Sequence, residues 1–293
     1  MALQFFTAIA ARLGKRFRRM TRPVITFENV SKEFKLSKLR VRSLQEMFVS
    51  MFKKELRGKH RFWALKEVNF TINAGETVAL VGTNGSGKST VLKLISRIID
   101  PTFGIITVSG RLSALLELGA GFHPDLSGRE NIFLNGSILG LDRKEMTKKL
   151  DAIIDFADIG EFIDVPIRNY SSGMQMRLGF SVAVHVEPQI ILVDEVLAVG
   201  DYNFQLKCLN KIREMQKQGV TILFVSHDFE EIQKLCDRAI WLNRGEVMAE
   251  GSTDDIIKAF MDIYQSKEGQ DSFPQSGVIP IVEQNMVTSD VGI

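Results

Sequence analysis

The sequence predicts an α/β fold: a mixed sheet with parallel central strands, a helical subdomain, and an amphipathic helix at the N-terminus. Three observations predict it. The apolar run ETVALVG (76–82) enters a glycine-rich loop and then the helical pattern TVLKLISRIID, closed by Pro101; this is the order in which a strand delivers a loop to a helix N-terminus. Two further apolar runs, IILVDE (190–195) and TILFVS (221–226), are each followed by a helical pattern, as strands buried on both faces of a parallel sheet should be. Residues 122–169 read as mainly helical, which places a helical subdomain at 119–180.

The remaining elements follow in chain order. Leu3, Phe6, Ala10, Leu13, Phe17 and Met20 recur at spacings of three and four, while Arg12, Lys15, Arg16, Arg18 and Arg19 occupy the other sides. Residues 1–23 are therefore expected to form a basic amphipathic helix, ended by Pro23, that either lies in a membrane interface or packs on its own domain. A cleaved signal peptide is disfavoured because the charges follow the apolar stretch. VITFENV, from Val24, alternates like a strand. Residues 35–61 read as a basic helical insertion with Leu44, Met47, Phe48, Met51, Phe52 and Leu56 at helical spacing. From Phe62 a strand-rich pattern runs to the turn residues Asn73, Ala74 and Gly75. Asp142 with Glu145 predicts a capped helix start, as does Ser252 with Asp255. The main domain thus spans 24–265, and the polar stretch 266–293, rich in Gly, Ser and Pro, reads as a flexible tail.

With 45% hydrophobic and 25% charged residues, the composition is that of an ordinary globular protein. No stretch approaches the roughly 20 consecutive apolar residues of a membrane-crossing helix, so a transport role would require a partner. Cys208 and Cys236 form neither a CxxC nor a zinc pattern and read as two reduced, packed thiols. The overall charge of +2 hides an asymmetry: residues 1–61 hold 16 Lys and Arg against 4 Glu, a net +12, leaving −10 for the rest. Such a basic end suits an anionic surface, either a membrane face or nucleic acid.

The loop GTNGSGKST, Gly82 to Thr90, satisfies the pattern G-x-x-x-x-G-K-[ST]. Its glycines let the backbone, through Asn84, Gly85, Ser86 and Gly87, curl around anionic oxygens at the start of a helix, where N–H groups converge on phosphates. Lys88 adds a point charge, and Ser89 and Thr90 place hydroxyls at the helix start, that of Ser89 for Mg²⁺. Chance alone produces this pattern in roughly one chain in a hundred of this length. IILVDE ends in two carboxylates. Alternation sends Asp194 and Glu195 to different sides, so that Asp194 can hold the metal while Glu195 polarises an attacking water. YSSGMQMRLGF (170–180) sets Ser171 and Gly173 at a helix start, either a plain Ser N-cap or a second phosphate clamp. FVSHD puts His227 after an apolar strand, in reach of a γ-phosphate or in a structural role.

The order of phosphate loop, SSGMQ, LVDE and VSHD resembles the ABC ATPase family, over roughly residues 24–265. That resemblance implies a P-loop NTPase core with ATP and Mg²⁺ as ligands. It makes Ser171, Ser172 and Gly173 part of the signature, Asp201 the D-loop aspartate, His227 the switch histidine, and Phe34 the aromatic that stacks on adenine. Ser172 and Met174 depart from the usual LSGGQ, the glutamine loop has only Glu117 as a polar candidate, and Phe62 or Trp63 could take the place of Phe34. Family members pair head to tail, each ATP lying between one phosphate loop and the other chain's signature, which implies a homodimer. The stretch Glu117 to Gly136 and the insertion look like cassettes that export lipid-linked polysaccharides such as O-antigen, capsule or teichoic acid. This implies an integral-membrane permease, a lipid-linked glycan near the membrane, and a peripheral location on the cytoplasmic face of the inner membrane. Drug efflux or nutrient import is the alternative. A soluble ATPase acting on nucleic acid is less favoured, because neither a second cassette nor a long coiled coil is present. The 28 residues of the tail are too few for the glycan-binding β-sandwich of some relatives.

Overall fold

The computed structural model describes residues 22–36, 60–116, 118, 119, 121–194 and 200–265. The expected N-terminal helix, most of the 35–61 insertion, Glu117, Glu195 and the 266–293 tail lie outside the described residues. Two sheets form. An antiparallel one has the order β2-β1-β4, from β1 (Pro23–Leu36), β2 (His60–Asn73) and β4 (Phe103–Val108). The other is mixed, with the order β5-β6-β7-β3-β8-β9, from β3 (Thr77–Val81), β5 (Leu112–Ala114), β6 (Ile190–Val193), β7 (Thr221–Phe224), β8 (Arg238–Asn243) and β9 (Glu246–Ser252). All its pairings are parallel except β8 with β9, as expected of a mixed sheet with parallel central strands.

The apolar runs are explained by burial on both faces. Ala79 and Val81 of β3, Ile191 and Val193 of β6, and Ile222 and Phe224 of β7 enter one apolar cluster, shared with α5 (Tyr202–Lys217), α6 (Phe229–Leu235) and α7 (Thr253–Gln265). Val78, Leu80, Ile190, Leu192 and Leu223 enter a second, with α1 (Lys88–Ile95) and the antiparallel sheet. Helix α1 ends five residues before the expected Asp100: Ser96 caps it, and Arg97 takes a left-handed turn at φ 56°.

The helical subdomain contains α2 (Gly128–Ile138), α3 (Arg143–Ala157) and two short 3₁₀ turns, and leads into α4 (Ser172–His185). Its cluster includes Ile132, Met146, Ile153, Ile163, Leu178 and Val182. Reciprocal capping boxes fix the starts of α2 (Ser127 with Glu130) and α3 (Asp142 with Glu145), satisfying N–H groups that a helix start leaves unpaired. Ser252 likewise meets Asp255 at α7. Helix α4 is shared: Leu178 and Val182 face the helical layer, while Phe180, Ala183 and Val184 face the sheet. A shift of this helix is therefore felt in both layers.

Candidate nucleotide-binding site

The phosphate loop leaves β3 at Gly82 and becomes helical at Lys88. Two of its glycines, Gly82 and Gly87, are sterically required. A Cβ on Gly82 would stand 2.3 Å from the Leu242 carbonyl oxygen and 2.6 Å from Ser86 Oγ. One on Gly87, which caps α1 at φ 115°, would meet Leu65 Cδ2 at 2.7 Å and the Ala64 carbonyl oxygen at 2.9 Å. Among the described residues no side chain caps α1, and an N-terminus of this kind suits an anionic ligand. The buried Lys88 ammonium reaches back across the loop, donating to the carbonyls of Gly82 (2.7 Å) and Thr83 (3.0 Å). Ser86 Oγ is buried and has no hydrogen-bond partner among the described residues, whereas Asn84, Gly85 and Ser89 are exposed and Thr90 is half-buried. A concave loop closed to side chains, with a cation bent across it, fits a polyphosphate.

The sheet brings the other motifs to the same end. Phe224 of β7 pairs with both Val193 of β6 and Ala79 of β3, so three parallel strands run abreast. One residue beyond that line comes half-buried Asp194, three beyond comes exposed His227, and three beyond comes Gly82. Ligands of open parallel sheets bind at this carboxyl edge. Next to His227, Ser226 Oγ donates to Glu231 (3.2 Å), and Asp228 caps α6. Burial pushes the Glu231 carboxyl above its usual range.

Ser171 caps α4, its hydroxyl accepting from the Met174 N–H at 3.2 Å; Gly173 lies in the first turn, where an added Cβ would find only Ser171 Oγ, at 3.8 Å. Tyr170 is buried beneath them and donates to the Phe162 carbonyl. Asp201 caps α5 by accepting from the Phe204 N–H at 2.9 Å. Phe34 is 38% exposed, lies under the Lys32 ammonium at 5.3 Å, and pairs in register with the still more exposed Phe62. Phe62 lies two residues before Ala64, whose carbonyl oxygen would stand 2.9 Å from a Cβ on Gly87. One of these rings, Phe62, thus stands on β2, the strand that touches the phosphate loop, and Phe34 stands opposite it on β1. Trp63 points away and stacks on Phe103 at 6.2 Å.

Sequence reasoning missed Arg177, whose guanidinium lies 3.6 Å from Asp201 and only 2.6 Å from Asp158. Neither partner has a motif spacing that would have pointed to it. The two cysteines are buried, and desolvation pushes both thiols up to about 12, so they are packing groups. No described helix is long and apolar enough to cross a membrane. Two clefts of 830 and 930 Å³ lie elsewhere, and neither is lined by a residue of the phosphate loop.

A strand, phosphate loop and helix, with Asp194 and His227 just beyond the ends of neighbouring parallel strands, define a P-loop nucleotide-binding protein. The family profile for ABC transporters matches residues 65–198. The O-antigen export system ATP-binding protein RfbB of Klebsiella pneumoniae is 48% identical over 239 residues, covering 81% of this chain and 97% of that one. The teichoic acids export ATP-binding protein TagH of Listeria innocua is 42% identical over 236 residues, covering 80% and 69%. A dimeric bacterial ABC transporter cassette superposes with a TM-score of 0.62 at 24% identity, over 78% of this chain and 98% of that one, which shows the shared fold. The chain belongs to the ABC transporter family, as an ATP-binding subunit.

Proposed function

We propose that this chain hydrolyses ATP as one half of a head-to-tail homodimer, and that closing and reopening of the dimer drive a separate integral-membrane permease. The cargo in this reading is a lipid-linked polysaccharide, exported from the cytoplasmic face of the inner membrane. The observation that carries it is the convergence of the Lys88 loop, Asp194 and His227 at the carboxyl edge of three adjacent parallel strands. The likeness to proteins named for O-antigen and teichoic acid export supports the cargo class.

Each residue then has one task. Bound phosphate replaces the Gly82 and Thr83 carbonyls as partner of Lys88, exchanging two neutral acceptors for an anion. Phe34, with Phe62 beside it, stacks on the base. Glu195 polarises the attacking water, and His227 contacts the γ-phosphate. Ser171 and Gly173 of one subunit, with Asp201, close over the nucleotide of the other. Among the described residues no three His, Cys, Asp or Glu side chains converge on a metal position. Ser89 and Asp194 would hold Mg²⁺ together with nucleotide phosphates, the usual mode for that ion, which would neutralise phosphate charge. The basic segment holding Lys53, Lys54, Arg57 and Lys59 suits anionic lipid head groups.

The test is to purify the chain with its permease and identify what accumulates in the cytosolic leaflet when Lys88→Ala replaces the wild type. Accumulated lipid-linked glycan, with ATPase activity lost, is the expected result. An amino acid, sugar or drug as cargo would overturn the polysaccharide reading.

A further inference from the structure

We propose that Arg177 is a positioning residue that joins the signature turn of α4 to Asp201 at the start of α5, so that one chain presents Ser171 and Asp201 as a single unit. The inference rests on the ATPase reading above and adds to it a residue and its role.

The guanidinium is only 18% exposed and meets two segments. Its Nε donates to the Ala157 carbonyl (2.9 Å), and its Nη2 donates to the Asp158 carbonyl (3.1 Å) and carboxylate (2.6 Å) at the end of α3. Carbonyls at a helix C-terminus are natural partners for a cation. The opposite prong, Nη1, faces Asp201 Oδ2 at 3.6 Å, while Asp201 Oδ1 is committed to capping Phe204. The guanidinium carbon lies over the Phe204 ring, 4.8 Å from its centroid. Phe204 in turn meets Phe156 of α3 at 5.8 Å and Phe180 of α4 at 6.2 Å. Helices α3, α4 and α5 thus meet in one aromatic knot, with Arg177 as its polar lid.

The two prongs are unequal. The Asp158 side is short and multiply bonded. The Asp201 side is a single longer contact to a carboxylate that is 64% exposed, and exposed pairs are weak and salt-screened. This weaker link is the one able to open and close as the helical layer moves against the sheet. Because Arg177 lies one helical turn beyond Gly173, on the same side of α4, a displacement of the signature turn is carried to that link. When the link is closed, the chain offers both groups to the opposing site in fixed register. Breaking it should spare binding of ATP to the phosphate loop and impair only the steps that need the two subunits together.

The test uses the full-length chain with Arg177→Lys, Asp201→Asn and Asp158→Asn. Lysine keeps the charge and the stem over Phe204 but cannot fork between two carboxylates. For Arg177→Lys and Asp201→Asn, kcat should fall about tenfold with KM within about threefold, and the Hill coefficient for ATP should drop toward 1. Binding of a fluorescent ATP analogue at low protein concentration should stay within about twofold. The Arg177→Lys/Asp201→Asn double variant should be no worse than either single one, and Asp158→Asn should keep kcat within about twofold. Wild-type kcat and Hill coefficient in Arg177→Lys, additive losses in the double variant, or an equal kcat loss in Asp158→Asn would each overturn the proposal. If Arg177→Lys does not fold, the kcat of Asp201→Asn compared with that of Asp158→Asn decides: a loss in the first alone supports the link, and equal values overturn it. A wild-type chain without ATPase activity overturns the functional reading itself, whereas activity that all three variants retain overturns this inference alone.

Discussion

Replacing the loop glycines one at a time by alanine should give a graded series whose order is set by what each new methyl group meets. At Gly85, where φ is 79° and nothing lies within 4 Å of the added Cβ, only backbone strain remains, about 1 kcal/mol. At Gly87 similar strain is joined by overlap with the Leu65 side chain at 2.7 Å, which can rotate, and with the Ala64 carbonyl at 2.9 Å, which cannot. Overpacking of that kind adds about 1–3 kcal/mol, for a total near 3 kcal/mol. At Gly82 a backbone oxygen only 2.3 Å away leaves no room without moving β8, and the loss should be the largest of the three, about 4 kcal/mol or more. Against a stability of about 5–15 kcal/mol these steps are separable. Urea unfolding of the full chain, followed by circular dichroism, measures them, and binding of a fluorescent ATP analogue reports the loop. Gly87→Ala should lower affinity by at least about tenfold, because relieving its contacts shifts the first turn of α1. If Gly85→Ala proved as destabilising as Gly87→Ala, the steric account of the loop would be wrong.

Glu195→Gln should bind ATP while hydrolysing it about 10²-fold or more slowly, and near-normal single-turnover rates would remove Glu195 as the base. Asp142→Ala removes one half of the α3 capping box and should cost about 1 kcal/mol, lowering Tm by about 2–4 °C by calorimetry, with ATPase kinetics unchanged. Burial holds the imidazole of His185 below its ordinary 6.5, so on acidification the unfolded chain takes up that proton first. This contribution to stability is complete above pH 6.5 and is lost as pH falls toward the depressed folded value; His185→Gln should flatten the urea midpoint between pH 7 and 5, and an unchanged slope would refute it.

The parallel core is legible in the sequence because β3, β6 and β7 are buried on both faces, which forces uninterrupted apolar runs of the kind seen at VALV, IILV and TILF. The phosphate loop is legible for a related reason: glycines at 82 and 87 answer backbone oxygens that allow no alternative. Capping pairs such as Asp142 with Glu145 are local and can be read three residues apart. What escapes is non-local. Arg177 is bound to partners 19, 20 and 24 positions away, fixed by how α3, α4 and α5 cross, and no periodicity encodes that crossing. The pairing of Phe34 with Phe62 escapes for the same reason, since it depends on the register between β1 and β2 across an intervening insertion. The early end of α1 is hidden because Ser96 and Arg97 carry no glycine or proline to announce it.

The turn between β8 and β9 gives the loop a mechanical character. The Gly245 N–H donates to the Ser86 carbonyl at 2.8 Å, and the Gly245 carbonyl accepts from the Lys66 N–H at 2.8 Å. A Cβ on Gly245 would fall 2.6 Å from the Ala64 carbonyl oxygen, so the three strands are pressed together at that point. The phosphate loop is thereby riveted to both sheets at once and behaves as a fixed anvil. In the ATPase reading proposed above, motion driven by the nucleotide then falls to the helical layer, which α4 ties to the sheet.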